Sequence, residues 1–178
     1  MSGLSGCTSR LSAKPGSFAD VHPSAGYRVV LLTRNEDAPT KTLSTAIKDW
    51  AKSEDVDLRT IVPANDKDSI PSITKAIGMK PDLIVSAGNA LIDPMTVVTA
   101  SNLQQRFLVV GAELAEPTYN VTAASWTGAS FRGEGLDMSS AYDPASFTTQ
   151  RCAAAIRAGV AAVLSNLTGI VIWVTSAS

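Results

Sequence analysis

Four side chains are candidates for binding a small polar molecule, and each lies at or just after the end of a predicted strand. Asn35, Asn89 and Glu113 carry amide or carboxylate groups that form directional hydrogen bonds. Trp126 carries an aromatic face on which a flat ring can stack. Together these groups predict a site for a polar ring compound held by hydrogen bonds and stacking.

The sequence lacks the residue patterns of the common catalytic sites. No G-x-S-x-G, P-loop or G-x-G-x-x-G motif follows a strand, and the one histidine, His22, lies near the N-terminus, so no catalytic residue and no cofactor is expected. One histidine and two cysteines, Cys7 and Cys152, also exclude the usual zinc sites. Acid–base chemistry stays open for the carboxylates of the same loops, which are Glu36, Asp37, Glu113 and Glu116.

Composition argues against binding to nucleic acid and against a membrane-spanning helix, so that membrane contact is expected only through a lipid anchor. Fifteen basic and sixteen acidic residues give a net charge of −1, so the chain has no overall basic field to attract nucleic acid. No apolar stretch approaches the roughly 20 residues that a membrane-spanning helix needs. With 178 residues and 45% apolar content, the chain predicts one domain of ordinary size.

The N-terminal segment predicts a flexible tether with a lipid attachment site. Residues 1–26 are rich in Ser, Gly, Ala and Pro and show no apolar period. Within them, Leu4-Ser5-Gly6-Cys7 is similar to a bacterial lipobox, in which small residues precede a cysteine that is then acylated. Cys7 is therefore the expected lipid anchor of an extracytoplasmic protein, with the true start of the gene upstream. The alternative is a chance match in a flexible tail.

Residues 27–178 alternate short apolar strands with helical segments, which predicts a single α/β domain. Several strands are apolar on both faces, as in sheets covered by helices on each side. We expect a three-layer sandwich with a doubly wound, mainly parallel sheet of five to six strands, in the order 2-1-3-4-5 with the last strand extending the edge. The predicted strands are residues 27–33, 57–62, 82–86, 106–111, 120–126 and 169–174, and the predicted helices are residues 41–53, 69–78, 94–100 and 144–167.

The last predicted helix supplies much of the expected core. Apolar residues recur along it at spacings of three and four, which places them on one face against the sheet. Cys152 falls in the same apolar segment and is expected to be a small core residue. The other residues predicted to be buried are Ile156, Val160, Val163, Leu164 and Leu167.

Four stretches of the sequence resemble the basic-membrane-protein family: PDLIVSAG at 81–88, QRFLVVG at 105–111, YNVTA at 119–123 and GASFRGEG at 128–135. The match covers roughly residues 27–136. This family comprises lipid-anchored substrate-binding proteins of ABC transporters, with the type I periplasmic-binding fold and mostly nucleoside ligands. The resemblance therefore implies a small polar ligand such as a nucleoside, and an ABC permease as a partner.

The chain departs from that family in length and in two loops. Family members bind their ligand between two lobes, whereas this chain has residues for one lobe. The family's aspartate-and-aromatic loop after the first strand is replaced by TRNEDAP at 33–39, and the aspartate after the fourth strand is replaced by Gly111-Ala112-Glu113. Asn89 and Trp126 carry over by position, on the rim of the predicted sheet.

Three functions follow from these patterns. The first is a lipid-anchored, extracytoplasmic, single-lobe relative of the solute-binding proteins, whose second wall comes from a homodimer or from a permease. The second is an interaction or structural lipoprotein that has lost its ligand. The third is a small α/β enzyme that uses carboxylate chemistry. The absence of catalytic patterns favours a binding protein over an enzyme.

Overall fold

The structure is a computed structural model that describes residues 10–13, 16, 18–34, 36–131 and 142–175. Its strands are β1 (Arg10–Ala13), β2 (Arg28–Leu32), β3 (Asp57–Ile61), β4 (Leu83–Ala87), β5 (Phe107–Val110), β6 (Ala112–Glu113), β7 (Val121–Ser125), β8 (Ser130–Phe131) and β9 (Val171–Val174). Its helices are α1 (Ala38–Ser53), α2 (Ser69–Gly78), α3 (Ile92–Ala100) and α4 (Thr149–Leu164), with 3-10 turns at Asp66–Asp68 and Pro144–Ser146.

Seven strands form one parallel sheet in the order β1-β9-β7-β5-β4-β2-β3. Apart from β1, this is the predicted 2-1-3-4-5 arrangement with the last strand extending the edge. The α/β prediction is confirmed, and the sheet has one strand more than the five to six expected. The central strands β4, β5 and β7 are buried along their whole length, because helices cover both faces. β6 and β8 form a separate two-stranded parallel pair.

The helix boundaries follow from local capping. Asp37 Oδ1 accepts a hydrogen bond from the Thr40 amide at 2.9 Å and Pro39 lies in the first turn, so α1 begins three residues earlier than predicted. Thr148 Oγ1 accepts from the Arg151 amide at 3.1 Å and begins α4. α4 is shorter than predicted at both ends, since residues 144–146 form a separate 3-10 turn and Asn166 adopts a left-handed φ of 59°.

The two faces of the sheet carry separate cores. α1 and α4 pack on one face, and α2 and α3 pack on the other. Cys152 and the α4 residues Ile156, Val160 and Val163 are buried as predicted, and Leu164 is partly buried against the same cluster. The prediction for Leu167 is wrong: it is 37% exposed, because α4 ends before it.

The N-terminal segment is not a tether along its whole length. Residues 10–13 form the edge strand β1, with Arg10 in register with Val171 and Ala13 with Val174. Unpaired backbone groups at the edge of β9 provide hydrogen-bonding partners, so even a short segment without an apolar period can pair there. The single histidine, His22, lies with Nδ1 3.0 Å from Oε1 of Glu54, the residue that caps the C-terminus of α1. Cys7 and the rest of residues 1–9 lie outside the described residues.

Candidate functional site

The carboxyl edge of the sheet is the part of the fold where ligands of doubly wound proteins bind. The chain leaves β2 for α1 on one face of the sheet and leaves β4 for α3 on the opposite face. Because β3 and β4 lie on opposite sides of β2, the strand order reverses between β2 and β4. The crevice at this reversal is therefore the first place to look for a site.

Around that crevice lies the open half of the edge, defined as the loops that follow β2, β3 and β4. Thr33, Arg34 and Asn89 are half-buried there, and Asn65 and Asp66 are exposed. Exposed and half-buried polar side chains from three different loops thus meet at one end of the sheet. They supply hydrogen-bond donors and acceptors to a small molecule.

The open half is held in place by its own hydrogen bonds. Ser44 Oγ, on the first turns of α1, donates to Thr33 Oγ1 at 3.2 Å. The Arg34 guanidinium forms an ion pair with the carboxylate of Asp66 across the ends of β2 and β3. The Arg34 side chain is 24% exposed and that of Asp66 is 89% exposed, so the pair is open to solvent on the Asp66 side. A ligand can therefore reach this pair from solvent without crossing the core.

The closed half of the edge, defined as the ends of β5 and β7 with residues 142–147, has a different character. Trp126 is 1% exposed, and its Nε1 donates to Ser146 Oγ at 2.9 Å. Its ring meets Phe147 edge-on, with centroids 4.9 Å apart and planes at 67°. The stacking face predicted for Trp126 is corrected by this packing, because the 142–147 segment covers the indole.

Glu113 also points away from the open half. It is 3% exposed, and its Oε2 lies 3.4 Å from Arg10 Nη2 on β1. The Arg10 guanidinium carbon lies 4.6 Å from the ring centroid of Trp173 on β9. The hydrogen-bonding role predicted for Glu113 on the rim is therefore corrected: its carboxylate anchors the edge strand β1.

Of the four predicted ligand residues, the structure places one in the open half. Asn89 follows β4 at the crevice, half-buried. Asn35 belongs to the same loop as Arg34 and lies outside the described residues, so its role stays a prediction. Sequence reasoning places Arg34 and Asp66 in the rim loops directly after β2 and β3, but it does not select them as ligand residues. It also missed Arg10, because a four-residue edge strand has no periodicity to detect.

Two groups in or against the core cluster that contains Trp126 have raised pKa values. Burial raises the pKa of the Cys152 thiol to about 12, so it stays protonated at neutral pH and is a poor nucleophile. Burial, and then the charge of Asp37, raises the pKa of Tyr142. The residues that the structure describes include no group of three or more His, Cys, Asp or Glu side chains that could hold a metal ion.

Two cavities of the described residues lie away from the carboxyl edge. One, of about 240 Å³, lies at the amino end of β2 and β3 and is lined by Arg28, Arg59 and Met79. The other, of about 230 Å³, lies between the segment around His22 and the helices α1 and α4. Neither touches the open half. No helix in the described part of the chain has the length and apolar character needed to cross a bilayer.

Comparison with known proteins identifies the fold. No model of a protein family matches the sequence, and no curated protein matches it. A solute-binding protein of an ABC transporter system from Aeropyrum pernix K1 superimposes with a TM-score of 0.51 at 18% identity, over 57% of this chain and 29% of that one. A candidate lipoprotein from Peptoclostridium difficile 630, solved as a fragment, superimposes with a TM-score of 0.55 at 16% identity, over 79% of this chain and 98% of the fragment. The chain therefore has a solute-binding-like α/β fold and matches less than a third of the length of the Aeropyrum protein.

Proposed function

We propose that this protein is a lipid-anchored, extracytoplasmic binding protein that holds a small polar ligand in the open half of the carboxyl edge, and that it is not an enzyme. The observation that carries the proposal is the convergence of Thr33, Arg34 and Asn89 at the point where the strand order reverses. The likeness to a solute-binding protein of an ABC transporter supports the same function.

The ligand class follows from the side chains that remain on the rim. Without Trp126, recognition in the open half depends on hydrogen bonds from a guanidinium, an amide and a hydroxyl. Such groups suit the hydroxyls and ring atoms of a nucleoside or a sugar. The resemblance to the basic-membrane-protein family makes nucleosides the first compounds to test, with Asn35 as a further predicted contact.

A single lobe leaves much of a bound ligand in water, so the site needs a second wall. A second copy of the chain across the open half would supply one, and an ABC permease would supply another. In either case, the affinity of the monomer is expected to be weak, because an open site desolvates little of the ligand. If the second wall is a second copy, ligand binding must strengthen dimerisation by the same factor by which dimerisation strengthens ligand binding.

The ligand experiment is a thermal-shift screen with adenosine, guanosine, inosine, uridine and ribose. A compound that binds only the folded state raises the melting temperature. Arg34→Ala and Asn89→Ala should each remove the shift. Arg59→Ala is the matched control, because Arg59 also pairs with an exposed aspartate, Asp57, but lies in the edge strand β3. Loss of the shift in the control as well would place binding elsewhere.

Self-association is tested with the same compounds by sedimentation. A hit that shifts the balance from monomer toward dimer supports the shared-cleft arrangement. A hit that leaves the balance unchanged removes it and favours a permease as the second wall.

Anchoring at Cys7 is tested in cells. Cys7→Ser, expressed behind a native lipoprotein leader, should move the protein from the membrane fraction to the medium or the soluble periplasmic fraction. Unchanged fractionation would remove the anchor from the proposal without affecting the ligand site.

One observation favours the alternative function, an interaction lipoprotein without a ligand. Half of the carboxyl edge is filled by Trp126 and Phe147, which are 1% and 6% exposed. A screen in which none of the five compounds raises the melting temperature, even at millimolar concentration, would support this alternative.

A further inference from the structure

Three large apolar side chains are exposed at the end of the molecule opposite to the candidate site. Leu103, Tyr119 and Leu167 are 40%, 65% and 37% exposed, respectively. They lie four, two and four residues before β5, β7 and β9. Because the amino ends of neighbouring parallel strands meet at one edge, all three side chains belong to the amino end of the sheet.

Hydrogen bonds and close contacts join these residues into one surface. The Asn120 amide, next to Tyr119, donates to the carbonyl oxygens of Asn102 and Gln105 at 3.0 and 3.1 Å, on either side of Leu103. Gly169 and Tyr119 approach each other closely, since a Cβ added to Gly169 would lie 3.0 Å from the Tyr119 Cα. The loop before β9, which contains Leu167 and Gly169, therefore packs against Tyr119.

A cation lies within the same surface. Arg106 donates through Nη2 to Asn166 Oδ1 at 2.9 Å and through Nη1 to the Val163 carbonyl at 3.2 Å, so its exposed guanidinium lies beside Leu167. We call Leu103, Arg106, Tyr119 and Leu167 the amino-end patch. An exposed tyrosine, two leucines and an arginine are residue types that suit the boundary between lipid headgroups and acyl chains.

The pairing of β1 brings the predicted lipid anchor to this end of the molecule. Arg10 is in register with Val171, which is in register with Ala123. Cys7 precedes Arg10 by three residues, and three residues span at most about 10 Å. On β7, Asn120 likewise precedes Ala123 by three residues, and Asn120 is next to Tyr119. Cys7 is thus three residues from the sheet, instead of the roughly 20 residues that the sequence predicts for the tether. At that distance the anchor can lie at the same height along the strands as the amino-end patch.

We propose that the amino-end patch rests on the phospholipid surface, so that the open half of the carboxyl edge faces away from the membrane. This inference rests on the proposed lipid anchor at Cys7. An anchor only three residues from the fold keeps the patch at a high effective concentration near the membrane, so a weak interfacial affinity is enough to orient the domain. The Arg106 guanidinium can then reach lipid phosphates while the apolar side chains enter the interface.

The test attaches the full chain chemically to vesicles, so that it does not depend on processing in cells. Cys7 is coupled to a maleimide phospholipid in vesicles of phosphatidylcholine and phosphatidylglycerol. Cys152 does not compete, since it is 0% exposed and burial raises its pKa to about 12. Thermal melting of each variant before coupling confirms that it is folded.

The proximity of a residue to the bilayer is measured by placing a tryptophan at its position and quenching the tryptophan fluorescence with brominated phosphatidylcholine. Tyr119→Trp reports on the amino-end patch. Val62→Trp is the matched control, because Val62 is 60% exposed and follows β3 at the carboxyl edge. The fluorescence of the added tryptophan is obtained by subtracting the wild-type signal. This fluorescence should be quenched at least about twofold more for Tyr119→Trp than for Val62→Trp. Equal quenching, or stronger quenching at Val62, would overturn the proposed orientation.

A second comparison tests whether the patch itself makes the contact. Leu103→Ser combined with Leu167→Ser, in the Tyr119→Trp background, should reduce the quenching. Ile70→Ser combined with Val97→Ser should leave it unchanged, since these side chains are 47% and 61% exposed on α2 and α3. An equal effect of both pairs, or no effect of the first, would contradict the proposal. Failure of the natural anchor would instead appear in the fractionation of Cys7→Ser alone.

Discussion

The two halves of the carboxyl edge begin from the same local structure and end as different environments. Gly88 follows β4 and Gly111 follows the neighbouring β5, with φ angles of 76° and 78°. A Cβ on Gly88 would lie 3.2 Å from a single atom, Thr40 Oγ1. A Cβ on Gly111 would lie 2.8 Å from both Leu43 Cδ1 and Phe147 Cε1. The strand ends are therefore equivalent, and the chain that folds over them decides which becomes a surface and which becomes core.

That covering chain is the segment of residues 142–147, which lies directly before α4. Its Ser146 hydroxyl accepts from Trp126 Nε1 and donates to the Asp143 carbonyl at 2.7 Å. Phe147 contacts Trp126 on one side and Tyr142 on the other, with centroids 5.8 Å apart in the second pair. Satisfying the indole N–H in this way lets a tryptophan be buried at the strand end.

The largest effect is expected from truncation in the closed half. Trp126→Ala removes a fully buried indole and leaves a cavity, and should lower the free energy of unfolding by about 3 to 5 kcal/mol. Arg34→Ala in the open half should change it by less than about 1 kcal/mol, since its partner Asp66 is exposed. Urea denaturation of both variants checks this. Similar costs for the two would contradict the division into closed and open halves.

A matched pair of glycine substitutions isolates packing from backbone strain. Gly88→Ala and Gly111→Ala both place a side chain at a left-handed φ, which should cost about 1 to 2 kcal/mol at each position. Gly111→Ala should cost about 1 to 3 kcal/mol more, because its methyl group also meets two buried side chains. Thermal and chemical denaturation give the difference. A cost at Gly88 equal to that at Gly111 would show that the open half is as tightly packed as the closed half.

Glu113 allows a smaller test of the same comparison, since it is the polar group that the fold turns away from the rim. Arg10→Ala leaves its buried carboxylate without a cation and should lower stability by about 1 to 3 kcal/mol, within the range for an unpaired buried group. Adding Glu113→Gln should restore part of that loss. Arg59→Ala, whose partner Asp57 is exposed, should have almost no effect. If Arg10→Ala is equally neutral, β1 is not held by this pair.

The sequence predicts most of the fold because strand and helix signals are local. Runs such as RVVLL in β2 and LIVSA in β4 are apolar on both faces, and the Ser69–Pro71 start and Gly78 end of α2 lie where capping residues indicate. The ends of these parallel strands then determine which loops form the carboxyl edge of the sheet. Asn89 is correctly assigned to that edge because its place depends only on the end of β4.

The roles predicted for Trp126 and Glu113 are corrected, and β1 is missed, for a common physical reason. Each is decided by a partner distant in sequence: Ser146 and Phe147 for Trp126, Arg10, 103 residues away, for Glu113, and the strand β9 for β1. A strand end rich in polar residues has the same sequence pattern whether its side chains face solvent or turn inward. Only the tertiary contacts distinguish the two outcomes.

The most direct test of the central claim is to map ligand contacts onto the backbone amides. A ¹⁵N-labelled sample is titrated with adenosine, guanosine, inosine, uridine and ribose, and amide chemical shifts are followed by NMR. We predict that a binding compound shifts the amides of Thr33, Arg34, Gly88 and Asn89, while those of Gly111 and Trp126 change little. Shifts centred on Gly111 and Trp126, or on neither half of the carboxyl edge, would contradict the assignment of the open half as the binding site.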